Sequence, residues 1–299
     1  MNLLVTGAWQ QAKDYIPQLE RMGHQVYFLQ YEKDELPCDY SWAEGVICNG
    51  LFLYHPIERF TSLRYIQVTS AGLDRVPLEY IREKKIELHN ARGVYSIPMA
   101  EFAIGGVLQL YKQFSFFGRN QEKHIWEKNR HLQELYGKTV CIVGCGSVGT
   151  ECAKRFQAFG CRVIGIATSN REQLYFDIIK SMDALDEILP EADILILAIP
   201  LNDSTVNIIS SERIELMKST AVIVNIARGA VIEQEKLAEA LYRRRIWGAV
   251  LDVFEDEPLL ENSNLWNCPN TILTPHNSFV GENNQERLNN SILSTLEKR

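Results

Sequence analysis

Short apolar runs rich in β-branched residues alternate with amphipathic stretches along the whole chain. In the first hundred residues this pattern predicts strands at residues 3–6, 25–29, 45–48 and 63–68, and a helix at residues 10–22. Short strands separated by helical stretches imply a parallel sheet with helices on its faces. The same alternation resumes at Lys138.

The second half of the chain repeats this pattern around more strands. The predicted strands are residues 140–143, 163–167, 193–198, 221–225, 248–251 and 271–274. Helices fit between most of them, for example residues 234–245, and the alternation predicts a doubly wound sheet of the Rossmann kind. A longer helix at residues 99–117 and a polar stretch at residues 119–138 connect the halves.

The tail of the chain has helical spacing, with Leu288, Ile292 and Leu296 on one face. We expect this tail to pack back on the first sheet. The expected domains are therefore residues 1–100 plus 281–299, and residues 101–280. The expected fold class is α/β, with two doubly wound parallel-sheet domains.

A glycine loop follows the strand at residues 140–143, and a helical pattern follows the loop. The loop residues that we expect to bind a dinucleotide are Gly144, Gly146, Ser147, Val148 and Gly149. Gly144 allows a tight turn, Gly146 lets the backbone approach a diphosphate, and Gly149 lets the helix pack close to the strand. The N–H groups that begin the helix then face the phosphates. An ordinary strand-to-helix turn is the alternative, and the strand–turn–helix context favours cofactor binding.

Ligands of an open α/β sheet lie outside the carboxyl ends of its strands. The residues that follow the later strands are Ile199 and Pro200, Ile226, Ala227 and Arg228, Asp252 and Glu257, and His276 and Ser278. We expect Ile199, Pro200, Ile226, Ala227, Asp252 and Ser278 to lie beside the cofactor. An arginine, a carboxylate and a histidine thus converge on the edge that holds it.

These three side chains suit hydride transfer to a 2-oxo acid. A guanidinium such as that of Arg228 binds a carboxylate in bidentate fashion and polarises the adjacent carbonyl group. A histidine such as His276 can donate a proton to the carbonyl oxygen, and a neighbouring carboxylate favours its protonated form. The alternatives are a surface ion pair for Arg228, an acidic turn for Glu257 and a loop position for His276.

The sequence resembles the D-isomer-specific 2-hydroxyacid dehydrogenases over nearly its whole length. The matching segments are residues 69–74, Met99-Ala100-Glu101, the glycine loop with Phe159-Gly160, residues 225–229, residues 251–258 and Thr274-Pro275-His276. The resemblance implies a Rossmann cofactor domain and a flavodoxin-like substrate domain.

The resemblance also implies roles for single residues. Arg228 is expected to bind the substrate carboxylate, His276 to be the acid/base, and Glu257 to be its partner. Glu257 is chosen over Glu255 because it precedes the proline. Backbone N–H groups at Ala71 and Gly72 are expected to help to hold the carboxylate, and Asp252 to lie by the nicotinamide. A homodimer joined through the cofactor domain and a cleft that closes on its substrate are further implications.

The resemblance leaves several activities open. The expected one is reduction of a small 2-oxo acid, such as glyoxylate or hydroxypyruvate, to the D-2-hydroxy acid. Phosphoglycerate dehydrogenase activity and a non-catalytic nucleotide-sensing role are the alternatives. Glu257 argues against the formate-oxidising branch, which has glutamine there. Tyr95 and Phe52 are candidates for setting substrate size or for core packing.

The end of the second Rossmann strand departs from the NAD pattern. An NAD enzyme has an acidic residue there to bind the ribose 2′-hydroxyl. This chain has Thr168, Ser169, Asn170 and Arg171 instead. Hydroxyl groups and an arginine suit a 2′-phosphate, so we expect NADP to be preferred and NAD to remain possible.

Composition excludes other classes of protein. A net charge of −7 without a basic block argues against nucleic-acid and anionic-membrane partners. The seven cysteines are scattered without C-x-x-C pairs, which favours free thiols over disulfides or a metal site. Neither a signal peptide nor an apolar run of membrane-spanning length is evident. We therefore expect a cytoplasmic protein.

Overall fold

The computed structural model describes residues 1–168 and 173–297. Within them the strands are β1 Asn2–Thr6, β2 Gln25–Leu29, β3 Gly45–Cys48, β4 Tyr65–Val68, β5 Glu87–His89, β6 Thr139–Val143, β7 Arg162–Ala167, β8 Ile178–Ser181, β9 Ile194–Leu197, β10 Val222–Asn225, β11 Gly248–Leu251 and β12 Thr271–Leu273. The α-helices are α1 Ala12–Arg21, α2 Leu78–Glu83, α3 Ser96–Tyr111, α4 Phe114–Glu122, α5 Ser147–Ala158, α6 Leu185–Ile188, α7 Ser211–Leu216, α8 Gln234–Tyr242 and α9 Asn284–Leu296.

The chain divides into two compact units, Met1–Tyr95 with Gly281–Arg299, and Ser96–Val280. The first unit has a parallel sheet in the order β2-β1-β3-β4-β5, which is the flavodoxin-like order. Its inner strands β3 and β4 are buried throughout, whereas the edge strands β2 and β5 have exposed positions. Continuous apolar runs form these inner strands because both of their faces are covered.

Helix α9 covers one face of the first sheet. Leu288, Ile292 and Leu296 of α9 belong to an apolar cluster that includes Leu3, Val5, Ile47 and Tyr65 of the strands. The Trp9 indole N–H also donates to Asn289 Oδ1 at 2.6 Å, in the interior of the unit. The first unit is therefore completed by the last helix of the chain.

The second unit has a parallel sheet in the order β12-β11-β10-β9-β6-β7-β8. Counted from β6, this is the Rossmann order 3-2-1-4-5-6 with one added strand, and the order reverses between β6 and β9. Helix α3 packs on α5 and on β10, β11 and β12, inside this unit. The predicted fold class, with one flavodoxin-like and one Rossmann sheet, is confirmed.

The structure corrects three expectations about elements. The edge strands β5 and β8 were not predicted, because Glu87–His89 and Ile178–Ser181 are short and mix polar with apolar residues. The single helix expected at residues 99–117 is two helices, since Gln113 has a φ of +54° and ends α3. Its side-chain amide donates to the Leu110 carbonyl at 3.0 Å, which caps the last turn.

Within residues 1–168 and 173–297, no helix combines the length and the apolar character that crossing a bilayer requires.

Candidate active site

The strands of the second sheet end at nearly the same level, at one edge of the sheet. A single row of paired residues crosses it, through Leu273, Leu251, Asn225, Leu197, Val143 and Ile166. Arg228 follows Asn225 by three residues, and His276 follows Leu273 by three. Because all of these strands are parallel, the loops after them emerge at the same edge of the sheet.

The glycine loop follows Val143 at this edge. Gly144 has a φ of +103°, and a Cβ there would lie 2.4 Å from the Ala198 carbonyl oxygen. A Cβ at Gly149 would lie 1.9 Å from the Gly144 carbonyl oxygen. Only glycine at both positions allows the first turn of α5 to pack this closely on the end of β6.

The N-terminus of α5 fits the diphosphate of a dinucleotide. Gly146 is its N-cap, and no side chain hydrogen-bonds to the cap. A Cβ at Gly146 would meet no atom within 4 Å, so open space lies in front of the helix. The N–H groups of the first helical turn, which includes Ser147 and Val148, are thus available to an anion.

The other expected cofactor residues fall into two kinds. Ile199, Ile226 and Ala227 are 8%, 1% and 6% exposed, so their side chains contribute mainly to the apolar core. Pro200 is exposed, and its carbonyl oxygen accepts a hydrogen bond from Thr205 Oγ1 at 2.8 Å. Thr168 is exposed after β7, whereas Ser169, Asn170 and Arg171 lie outside the described residues.

His276 and Glu257 form a hydrogen-bonded pair. His276 Nδ1 lies 2.8 Å from Glu257 Oε2, and the other carboxylate oxygen accepts the Phe254 N–H at 3.1 Å. The Glu257–Pro258 peptide bond is cis. Because a carboxylate accepts a hydrogen bond, Nδ1 carries a proton in this arrangement and Nε2 is left for a ligand. The side chains of His276 and Glu257 are 40% and 36% exposed, so the pair is accessible to a ligand.

Asp252 holds the loop that carries His276. Its side chain is fully buried, and Oδ1 accepts hydrogen bonds from Thr274 Oγ1 and the Asn277 N–H, both at 2.7 Å. Oδ2 accepts the Ser278 N–H at 2.9 Å, and the Asp252 carbonyl oxygen accepts the His276 N–H at 2.8 Å. His276 has a φ of +49°, a left-handed conformation that these contacts offset. Ser278 itself is 3% exposed.

Asn225 shapes the loop that carries Arg228. Its amide nitrogen donates to the Arg228 carbonyl oxygen at 2.9 Å, and its amide oxygen accepts the Ala227 N–H at 3.0 Å. Arg228 Nη1 donates to the Ala227 carbonyl oxygen at 2.7 Å, which fixes one side of the guanidinium. Asn225 is 1% exposed, so this brace lies inside the protein.

Gly229 joins the Arg228 loop to the loop after β11. A Cβ at Gly229 would lie 1.8 Å from the Phe254 carbonyl carbon and 2.2 Å from the Glu255 nitrogen. No side chain fits there without moving one of the two backbones. The absence of a side chain at Gly229 thus holds the Arg228 loop against the loop that ends at Glu257.

The loop at Ala71 and Gly72 belongs to the first unit. Its carbonyl groups are engaged, since Asn90 Nδ2 donates to the Ala71 oxygen at 2.7 Å and Ser70 Oγ donates to the Gly72 oxygen at 2.8 Å. In the described part of the chain, the N–H groups of Ala71 and Gly72 have no acceptor. A braced loop with two unused N–H donors is suited to binding an anion.

The two residues considered for substrate size have packing contacts. Tyr95 donates its phenolic hydrogen to the Thr69 carbonyl oxygen at 2.6 Å, and burial raises the pKa of Tyr95. Phe52 packs against Phe60 with ring centroids 5.9 Å apart, in the core of the first unit. Tyr95 therefore braces the Ala71 loop, and Phe52 contributes to the core.

Sequence reasoning missed several residues that brace the loops of the two units. They are Asn90, Thr205, Asn225 and Thr274. Three of them share one signal, because Asn90, Asn225 and Thr274 stand within one residue of the carboxyl end of a strand. A polar residue at that position braces a loop by hydrogen bonds to its backbone.

The model of one known family matches most of the second unit. The family model described as "D-isomer specific 2-hydroxyacid dehydrogenase, NAD binding domain" matches residues 104–278.

Named relatives cover most of the chain. The chain is 34% identical over 244 residues to the D-3-phosphoglycerate dehydrogenase of Methanocaldococcus jannaschii, a match that covers 81% of this chain and 46% of that protein. It is also 35% identical over 227 residues to the glyoxylate reductase of Pyrococcus furiosus. This match covers 73% of this chain and 67% of that protein. The chain thus spans less than half of the first relative's length and about two thirds of the second's.

A solved structure has the same fold over the full length. The glyoxylate reductase of Paecilomyes thermophila aligns with a TM-score of 0.84 and 26% identity. The alignment covers 100% of this chain and 96% of that one.

Proposed function

The chain belongs to the D-isomer specific 2-hydroxyacid dehydrogenase family, and from this premise we propose that it reduces a small 2-oxo acid, of the glyoxylate or hydroxypyruvate kind, to the D-2-hydroxy acid. The observation that carries the proposal is the hydrogen bond between His276 Nδ1 and Glu257 Oε2, at the sheet edge that also bears the glycine loop. A histidine held in this way has Nε2 as its proton donor to a ligand.

His276 is the acid of the reaction. Its Nε2 proton moves to the carbonyl oxygen of the 2-oxo acid, and Glu257 stabilises the protonated ring that makes this transfer possible. A bound reduced nicotinamide supplies the hydride that the carbonyl carbon accepts. Asp252 acts through His276, because it fixes the loop on which the imidazole stands.

Arg228 binds the substrate carboxylate. Its guanidinium has five N–H donors, and the Ala227 carbonyl oxygen holds one nitrogen in place. The N–H groups of Ala71 and Gly72 are also proposed to bind substrate, since the described residues offer them no acceptor. The second unit would therefore bind both the cofactor, at the glycine loop, and the substrate, through Arg228.

NADPH is the proposed reductant. The support is the sequence of Thr168, Ser169, Asn170 and Arg171, which lacks an acidic residue for a ribose 2′-hydroxyl. The ratio of kcat/KM with NADPH to that with NADH tests this preference. A higher value with NADH would refute it.

A homodimer is the proposed assembly. The segment 114–136 of the cofactor unit exposes large apolar side chains, among them Trp126 at 97% and Tyr136 at 80%. Exposed apolar surface of this kind marks an interaction site. Light scattering of Trp126→Ser would give a smaller mass than the parent, whereas Tyr31→Ser, which changes an exposed side chain of the first unit, would not. A parent that is monomeric at high concentration would refute the proposal.

A cytoplasmic location is also proposed. All seven cysteines are free, and six of them are buried. Free thiols persist in a reducing compartment.

The test of the activity is oxidation of NADPH, followed by absorbance, with a panel of 2-oxo acids. We expect His276→Ala to lower kcat by roughly 10²-fold to 10⁴-fold, the usual contribution of a general acid. His89→Ala is the matched control, because His89 also pairs with a glutamate, Glu87, and lies outside the proposed site. Equal turnover of His276→Ala and the parent would refute the proposed acid, and no turnover of any acid by the parent would favour a sensing role.

A further inference from the structure

The loop at Ala71 is held by the segment that follows β5. The Ala91 N–H donates to the Ser70 carbonyl oxygen at 2.9 Å, and Asn90 Nδ2 donates to the Ala71 carbonyl oxygen at 2.7 Å. Strands β4 and β5 are parallel neighbours, so the loops after them leave the same edge of the first sheet. Two successive carbonyl groups of one loop are therefore bound by two successive residues of the other.

These two hydrogen bonds determine where the N–H groups of Ala71 and Gly72 point. The peptide bonds on both sides of Ala71 are trans. In a planar trans peptide the C=O and N–H groups point in opposite directions. Since the Ser70 carbonyl group is directed at Ala91, the Ala71 N–H points away from Ala91. In the same way, the Ala71 carbonyl group is directed at Asn90, and the Gly72 N–H points away from Asn90.

The two N–H groups are thus presented together, on the side of the loop that faces away from β5. The Gly72 carbonyl oxygen accepts a hydrogen bond from Ser70 Oγ at 2.8 Å, which fixes the next peptide unit as well. Within residues 1–168 and 173–297, neither N–H group has an acceptor. Neighbouring N–H donors in a fixed loop form a site for an anionic group.

Asn90 is the residue whose side chain this arrangement requires. The bond from Ala91 is made by the backbone, which almost any residue supplies, whereas the bond to the Ala71 oxygen comes from a side-chain amide. The orientation of that amide is fixed, because Asn90 Oδ1 accepts the Arg92 N–H at 3.3 Å and the NH₂ group therefore faces Ala71. An alanine would offer neither bond.

We propose that Asn90 is a positioning residue for the reaction, which acts through the Ala71–Gly72 peptide and turns its N–H toward the substrate. The inference rests on the proposed function, in which the N–H groups of Ala71 and Gly72 bind substrate. Without the amide of Asn90 this peptide is free to rotate, and rotation would present the Ala71 carbonyl oxygen to an anionic group in place of a donor.

The kinetics of Asn90→Ala test the inference in the intact protein. The loss of one hydrogen bond from an N–H group to a charged group weakens binding roughly 10-fold to 100-fold. We expect KM for glyoxylate or hydroxypyruvate to rise by this factor while kcat changes less than about threefold, because the contact is made both before and during the reaction. KM for NADPH should not change, since the glycine loop belongs to the second unit. Asn90→Gln keeps an amide donor and should recover part of the loss.

Asn270→Ala is the matched control. The amide of Asn270 also donates to a backbone carbonyl oxygen, that of Trp247, at 3.0 Å. Asn270 precedes β12, at the opposite edge of the second sheet from the proposed site. Its replacement should leave both KM values unchanged. Equal KM of Asn90→Ala and the parent for the 2-oxo acid, or parallel rises of KM for the 2-oxo acid and for NADPH, would overturn the inference.

A binding measurement separates this inference from the proposed function. Oxamate is an unreactive analogue of a 2-oxo acid, so its calorimetric titration requires no turnover. We expect the dissociation constant of oxamate to be roughly 10-fold to 100-fold higher for Asn90→Ala than for the parent. Oxamate should also shift the Gly72 amide resonance in the nuclear magnetic resonance spectrum of the parent more than in that of the variant.

These results would support the role of Asn90 even if the parent reduced no 2-oxo acid, an outcome that would refute only the proposed function. Equal dissociation constants of the parent and Asn90→Ala, or a parent that binds no oxamate, would overturn the inference. Turnover of 2-oxo acids by the parent would leave the proposed function standing in that case.

Discussion

Replacement of Asp252 by asparagine would test how the His276 loop is held. The carboxylate accepts three hydrogen bonds in the interior, from Thr274 Oγ1 and from the backbone N–H groups of Asn277 and Ser278. An asparagine side chain has one oxygen and an NH₂ group, so at least one of these donors would face another donor. The loss of one hydrogen bond to a charged acceptor, together with a buried donor left without an acceptor, lowers the free energy of unfolding by about 2–4 kcal/mol.

Calorimetry would measure this loss. For a unit of this size, 1 kcal/mol lowers the melting temperature by roughly 2–4 °C, so the second unit of Asp252→Asn should melt roughly 5–15 °C lower. The kcat should fall about 10²-fold at temperatures where the variant remains folded, because a misplacement of about 1 Å has that effect on catalysis. Thr274→Val removes one donor and leaves the carboxylate, so it should cost only about 1 kcal/mol.

Two results would contradict this reasoning. A melting temperature and a kcat equal to those of the parent would mean that the buried carboxylate does not organise the loop. A raised KM for the cofactor with an unchanged melting temperature would mean that Asp252 acts chiefly by contact with the nicotinamide.

Three further predictions concern single residues of the second unit. Glu257→Gln should lower kcat about 10-fold to 100-fold, because the amide does not stabilise a protonated His276. Glu255→Gln should leave kcat unchanged. Equal effects of the two variants on kcat would refute the choice of Glu257 as the partner. Gly229→Ala should lower the melting temperature strongly, since its Cβ would overlap the Phe254 backbone. Gly105→Ala is the control and should be tolerated, because its Cβ would lie in open space. A melting temperature of Gly229→Ala equal to that of the parent would contradict the packing. Burial raises the pKa of the Cys152 thiol from 9.0 to about 12, so the native state keeps the thiol neutral. Above about pH 9 the unfolded chain loses this proton while the native state retains it, so the free energy of unfolding falls as the pH rises. Between pH 8 and pH 10 the parent should therefore lose on the order of 1 kcal/mol more free energy of unfolding than Cys152→Ala, as measured by urea titration, and parallel losses would refute this sign.

The inner strands of both sheets could be predicted because they are continuous apolar runs. β6, β9, β10 and β11 are buried on both faces, and the sequence has few other ways to place so many adjacent β-branched residues. The edge strands β5 and β8 could not be predicted in this way, because one side of each faces solvent and a few mixed residues suffice.

The chemistry of the candidate site could be predicted only in part. The sequence indicates that His276 and Glu257 follow neighbouring strands, and the structure places them in hydrogen-bond contact. The sequence does not indicate that Asp252 is enclosed by donors, since those donors are backbone N–H groups without a residue signature. The unused N–H groups at Ala71 depend on Asn90, which is distant in sequence and was therefore missed.

The topology of the first unit has a consequence for synthesis of the chain. Leu3, Val5 and Tyr65 remain without their covering helix until α9 leaves the ribosome, after the whole of the second unit. At ordinary rates of translation this delay is on the order of 10 to 40 s. During this time an apolar face of the sheet is exposed to chaperones and to neighbouring nascent chains. Yield in the cell should therefore depend on α9 more strongly than the stability of the finished protein does.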